Sequence, residues 1–152
     1  MDKTKKIEIE ADELCKWLSF IRQKGRDAFT GEPLALDFHP HHFIHRRQKR
    51  FRWDLDNVFA VNKGTHFWIH SGGEGIFGAT MRERYPERIQ RLLQEKNRVH
   101  KWKASDTEEV YTKLKEEFQK FYDWEKFQKK DLEEKFKIVL NIIGGKTCTQ
   151  NI

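Results

Sequence analysis

A chain of 152 residues has room for one domain, or for a compact unit with a helical extension, and for a core of modest size. Nothing in it approaches the ~18 consecutive apolar residues of a membrane span, and the start lacks the apolar centre of a secretory signal. Cys15 and Cys148 stand far apart with no CxxC pair, which excludes a disulfide framework and sets the expectation of a reducing, cytoplasmic setting; a net charge of +6 with a pI near 9.3 favours an acidic partner such as nucleic acid.

In chain order, Leu14, Trp17, Leu18 and Ile21 follow the three-four spacing of a buried stripe, predicting a helix over 11–24 with Gly25 as its left-handed cap. Thr30-Gly31-Glu32-Pro33 is turn chemistry, and the alternation of Leu34-Ala35-Leu36-Asp37-Phe38 predicts a short strand. Histidine dominates 39–45, and arginine and lysine dominate 46–52. Asn57 to Val61 reads as a second strand, with Phe59 and Val61 able to share a face. From Thr65 the pattern is helical, broken at Gly72-Gly73, and Pro86 opens another helix with Ile89, Leu92 and Leu93 inward. Ser105-Asp106-Thr107-Glu108 offers a capping box for a long helix whose apolar face runs through Val110, Leu114, Phe118, Phe121 and Trp124. A last helix is predicted over 130–143, followed by a loose tail over 144–152.

Six of the seven histidines lie between positions 39 and 70, where they add little to a core. Taken singly, each reads best as a partly exposed histidine on a basic surface; their spacing shifts the balance. His41 and His42 are adjacent at the end of the expected strand, so their side chains point to opposite sides of it. Asn57 follows His42 by fifteen residues, His66 follows Asn57 by nine, and His70 comes four later. On a helix, His66 and His70 share a face and come close enough to share an ion.

Strand, loop, strand and helix with His-His, Asn, His and His at those spacings resembles the HNH, or ββα-metal, nuclease motif. Trp53-Asp54-Leu55-Asp56-Asn57-Val58 followed by Thr65-His66-Phe67-Trp68-Ile69-His70 looks like a segment of the DNase domains of colicins and pyocins. A longer layout, from Asp27-Ala28-Phe29-Thr30-Gly31 through His42-Phe43-Ile44 and Ser71-Gly72-Gly73 to Met81–Ile89, is similar to the phage NinG (Rap) recombination nucleases. That family carries two CxxC pairs around a structural zinc; the matching positions here are Asp27 with Thr30 and Asn62 with Thr65, so no structural zinc is expected. The chain departs again at His39, where the colicin family has a glutamate.

The resemblance implies an α+β fold: a ββα-metal hairpin-helix core with an N-terminal helix in residues 1–100, and a helical extension in 101–152 that packs on the core or forms a homodimer seam. It implies a metal-dependent endonuclease acting on DNA, in recombination, junction processing or attack on invading DNA, and leaving a 3′ hydroxyl and a 5′ phosphate. His42 is then the general base and Asn57 the brace of its loop. His41 and His66 hold one divalent ion (Mg2+, Mn2+, Ni2+ or Zn2+), and His70 reads either as a third ligand or as a capping or core histidine. The loop cations Arg46, Arg47, Lys49, Arg50 and Arg52 are the candidates for DNA backbone contact, with Lys63, Arg82 and Arg84 behind them. Two alternatives stand beside this: a non-catalytic basic DNA-binding module on a degenerate HNH scaffold, and a toxin-type DNase. A membrane-surface role lacks the amphipathic helix it needs.

Overall fold

The computed structural model describes residues 1–144. Helix α1 spans Lys3–Arg22 and starts eight residues before the predicted boundary. The early turns are too polar to show an apolar stripe. They form because Asp2 caps them, accepting from Lys5 N at 2.9 Å, and because the helix continues into a buried stripe at Leu14, Trp17 and Leu18. Beyond its end Gly25 takes φ +71°, as expected of the cap.

The sheet is a two-stranded antiparallel hairpin, β1 (His39–His42) with β2 (Val58–Val61), in which His41 lies opposite Phe59 and His42 opposite Val58. The strand expected over 34–38 is not formed. Leu34 and Phe38 are buried as loop residues, and the ladder begins at His39, since only from there is there a β2 residue to pair with. The connection contains a short helix α2 (Lys49–Arg52) and a single 3-10 turn (Leu55–Asn57).

Strand β2 is buried on both faces. Val58 and Ala60 join the cluster made by α1 with α6 (Ala104–Gln119), α7 (Trp124–Gln128) and α8 (Leu132–Ile143). Phe59 and Val61 join the cluster of Ile69, Phe77, Met81, Ile89 and Leu92, contributed by the helical run that follows β2. The period-two alternation of one strand thus separates two cores. Its outer edge is closed by Gln23, whose amide donates to Ala60 O and accepts from Ala60 N, both at 2.8 Å.

Helix α3 (Lys63–Trp68) runs into a wider turn, Ile69–Gly73, where Gly72 at φ +124° breaks the helix as predicted. A Cβ at Gly73 would collide with the Trp68 indole. Helices α4 (Glu74–Arg84) and α5 (Pro86–Lys96) follow. Helix α6 begins one residue before the predicted box, because Asp106 accepts from Lys103 N at 2.8 Å and makes Lys103 the boundary residue. The long aromatic helix is two helices. The chain turns after Gln119, which leaves Phe121 43% exposed while Phe118, Trp124 and Phe127 pack against α1. Apart from Gly144, the predicted tail lies outside the described residues. Among those described, no helix is long and apolar enough to cross a membrane.

At the segments around Asp27 and Asn62, where no cysteine pair is present, a carboxylate makes the link. Buried Asp27 accepts from Phe29 N at 2.8 Å and Thr30 N at 2.9 Å through Oδ1, and from Asn62 N at 2.7 Å through Oδ2. Asp27→Ala strands three backbone N–H groups at roughly 1–3 kcal/mol each, so a loss of about 3 kcal/mol or more is expected in urea unfolding; a loss below about 1 kcal/mol would sink this role for Asp27.

Helix α5 is tied to the loop by Arg91, which pairs with Asp54 at 2.7 Å and Asp56 at 2.8 Å, while Arg22 reaches Asp56 at 2.8 Å. Burial alone would raise the Asp56 carboxyl, but hydrogen bonds from Arg22 and Arg91 outweigh it and hold the group below its usual range. A depressed folded-state value gives stability that is complete above the unfolded carboxylate pKa of about 3.9 and is lost as pH falls through the folded value. Asp56→Asn should therefore flatten the acid limb of the stability-pH curve below about pH 4; an unchanged limb would exclude Asp56 from acid unfolding.

Candidate metal centre and basic loop

Strand alternation sends His39 and His41 to one face of β1 and His42 to the other, and α3 crosses the first of these faces. There His66 stacks on His39 at 4.9 Å between ring centroids, and His41 meets His66 and His70 edge-on at 5.6 and 5.5 Å. Helical spacing places His66 and His70 side by side, with their Nε2 atoms 3.0 Å apart. His41, His66 and His70 each offer a ring nitrogen, and all three lie within 4.8 Å of one another, close enough to hold a metal ion.

The donor set suits an ion. Two nitrogens bound at about 2.05 Å around a tetrahedral centre stand about 3.3 Å apart, so the His66–His70 pair needs only slight spreading. His41, packed edge-on against Phe77 and only 8% exposed, is pushed down to about 3 by burial first and by the His66, His70 and His42 imidazoles next. Burial, then His70 and His39, also lowers His66. Both rings therefore keep the neutral, lone-pair form that a metal requires.

These histidines line a cleft of about 440 Å³ together with His42. His42 Nε2 lies 2.9 Å from the Arg52 carbonyl oxygen. A carbonyl only accepts, so Nε2 carries the hydrogen and Nδ1 is left as a bare acceptor. Burial lowers His42 below the ordinary imidazole value, opposed by that carbonyl bond, so the ring is neutral at physiological pH.

Asn57 is fully buried. Its Oδ1 accepts from Ile44 N at 2.6 Å, and its Nδ2 donates to Ile44 O at 2.8 Å and Phe51 O at 3.0 Å. The side chain ties Ile44 to Phe51 across the loop and is not among the residues that line the cleft.

The five loop cations are largely engaged within the molecule. Lys49 pairs with Glu8 at 2.9 Å, Arg52 with Asp12 at 2.7 Å and Arg46 with Asp12 at 3.1 Å. Arg50 donates to the carbonyls of Glu95 and Arg98, and Arg47 Nε donates to His45 Nδ1 at 3.2 Å. Arg46 and Arg47 remain exposed, and of these Arg46 lines the cleft. Of the more distant candidates, Arg84 is tied to the carbonyls of Ala28 and Phe29.

Sequence reasoning left His39 without a role and missed Asp12 and Glu8. The only sign of the two acids was their i, i+4 spacing on one helix face, which does not distinguish them from any solvated pair. No family model, curated protein or solved structure matches the chain.

A divalent ion at 100 times its dissociation constant should raise the stability of the wild type by about 2.7 kcal/mol in a thermal melt. His41→Ala and His66→Ala should lose that rise, and His70→Ala separates third ligand from cap by losing or keeping it. No shift in the wild type with zinc, nickel, manganese or magnesium would refute the ion site.

Proposed function

We propose that this chain is a metal-dependent endonuclease of the HNH type, with a ββα-metal centre formed by β1, β2 and α3, and that it hydrolyses DNA phosphodiester bonds. The observation that carries the reading is one cleft lined by two kinds of histidine. Three have ring nitrogens within 4.8 Å of one another, and a fourth presents a bare Nδ1 because its Nε2 is held by the Arg52 carbonyl.

A divalent ion held by His41, His66 and His70 would supply positive charge against a non-bridging phosphate oxygen and the leaving oxygen. Imidazole donors favour zinc or nickel over manganese or magnesium. His42 takes the proton of the attacking water at Nδ1; as a neutral imidazole it is in the form that can accept one. Asn57 acts at a distance, by keeping Ile44 and Phe51, and so the loop between them, in place. The free edges of Arg46 and Arg47 meet the DNA backbone and contribute affinity that falls with salt. Lys49, Arg50 and Arg52 hold the loop that carries those two residues.

Supercoiled plasmid incubated with the protein and a panel of divalent ions should be nicked or linearised, and His42→Ala should slow cutting by about 10²–10⁴-fold. The reading fails if the wild type cuts with no ion, or if the variant cuts equally well. A DNA-binding module would instead retard DNA on a gel in both forms without cutting it.

A further inference from the structure

Asp12 of α1 also lines the cleft, and the reading above gives it no part. We infer that Asp12 is a positioning residue for His42, acting through the Arg52–Trp53 peptide group; the inference rests on His42 being the proton acceptor.

Four N–H groups converge on the Asp12 carboxylate. Its Oδ1 accepts from Arg52 Nε at 3.0 Å and Trp53 Nε1 at 2.8 Å. Its Oδ2 accepts from Arg52 Nη2 at 2.7 Å and Arg46 Nη2 at 3.1 Å. An ionised carboxylate has about four lone-pair positions, and all are in use. Asp12 is therefore not the group that takes a proton from water, and it has no lone pair left for a cation.

What the carboxylate holds are the two residues that flank one peptide plane. The Arg52 carbonyl belongs to the peptide group joining Arg52 to Trp53, and that group is rigid. Arg52 is gripped through a two-point fork, the most geometrically specific form of ion pair. Trp53 is gripped through its indole nitrogen and is 1% exposed. With both neighbours fixed, the carbonyl direction is fixed as well, and it points at His42 Nε2 at 2.9 Å. On the other side of Arg52, Asn57 Nδ2 holds the Phe51 carbonyl at 3.0 Å. Both peptide planes around Arg52 are thus set by side chains from outside α2. Asp12 supplies the one that orients the imidazole.

Glu8, one turn earlier on α1, pairs with Lys49 and, among the described residues, with no other cation, and it provides the control. In the full-length, metal-free protein, the His42 Nε2 proton should be visible by ¹H–¹⁵N NMR as a slowly exchanging resonance, assigned by its loss in His42→Ala. Asp12→Asn should speed its exchange with water by about 10-fold or more, the scale on which supporting contacts act, whereas Glu8→Gln should leave it unchanged. Arg52→Gln removes the fork from the other side, carries the same expectation, and serves if Asp12→Asn does not fold. Unchanged exchange in a folded Asp12→Asn or Arg52→Gln variant overturns the inference, as does equal acceleration in Glu8→Gln. In plasmid cleavage Asp12→Asn should lower kcat by about 10–100-fold with KM nearly constant, and a raised KM at constant kcat would assign Asp12 to substrate binding instead. If the wild type does not cut DNA, the nuclease reading fails on its own, and the exchange experiment still decides whether Asp12 orients His42.

Discussion

The Asn57 amide sits with no solvent exposure at the foot of the hairpin loop and joins Ile44, at the loop's start, to Phe51, near its end. Two of its bonds go to the same residue, so Ile44 is held as it would be by a neighbouring strand. A buried amide makes such a closure stiff, because any opening leaves polar groups unpaired where water cannot reach them. The position of the Arg52 carbonyl, and with it the setting of His42, depends on that closure. Removing Asn57 would release the loop without touching any atom in the cleft.

The three clustered histidines come from elements of a different kind. His41 stands on a strand paired to β2, whose two faces are both buried in helical cores; His66 stands on α3 and His70 in the Ile69–Gly73 turn that continues it, beside Ile69 and Trp68 of the second core. Rigid elements hold ligand geometry more tightly than loops do. The helical break at Gly72 then redirects the chain after His70, so that α4 can place Phe77 against the His41 ring.

Charge in this molecule is distributed with the same economy. The basic loop borders the histidine cleft, and two acids on α1 neutralise much of it and order it against the helix. The Arg46–Asp12 pair, with Arg46 about half exposed, is of the surface kind worth about 0–1 kcal/mol, whereas Lys49–Glu8 and Arg52–Asp12 each have a largely buried partner. Asp27 is a further carboxylate used as a tie, joining the turn at Phe29 and Thr30 to Asn62 through three backbone N–H groups.

Much of this was legible in the residue order. The helix stripes, the break at Gly72, the cap at Gly25, the second strand and the pairing of His66 with His70 all follow from local periodicity, which neighbouring side chains on one element obey. The first strand was misplaced because the alternation over 34–38 is local, whereas pairing depends on where β2 lies. The long aromatic stripe concealed a turn after Gln119 because the apolar spacing continues across it. By itself, the sequence determined which residue types could hold an ion and roughly where. Only the tertiary structure decided that His41 joins His66 and His70, that the Arg52 carbonyl selects the His42 nitrogen left free, and that Asp12, forty residues before Arg52, holds that carbonyl in place. These are contacts between elements, set by how helices and strands pack together, and no pattern within one element encodes them.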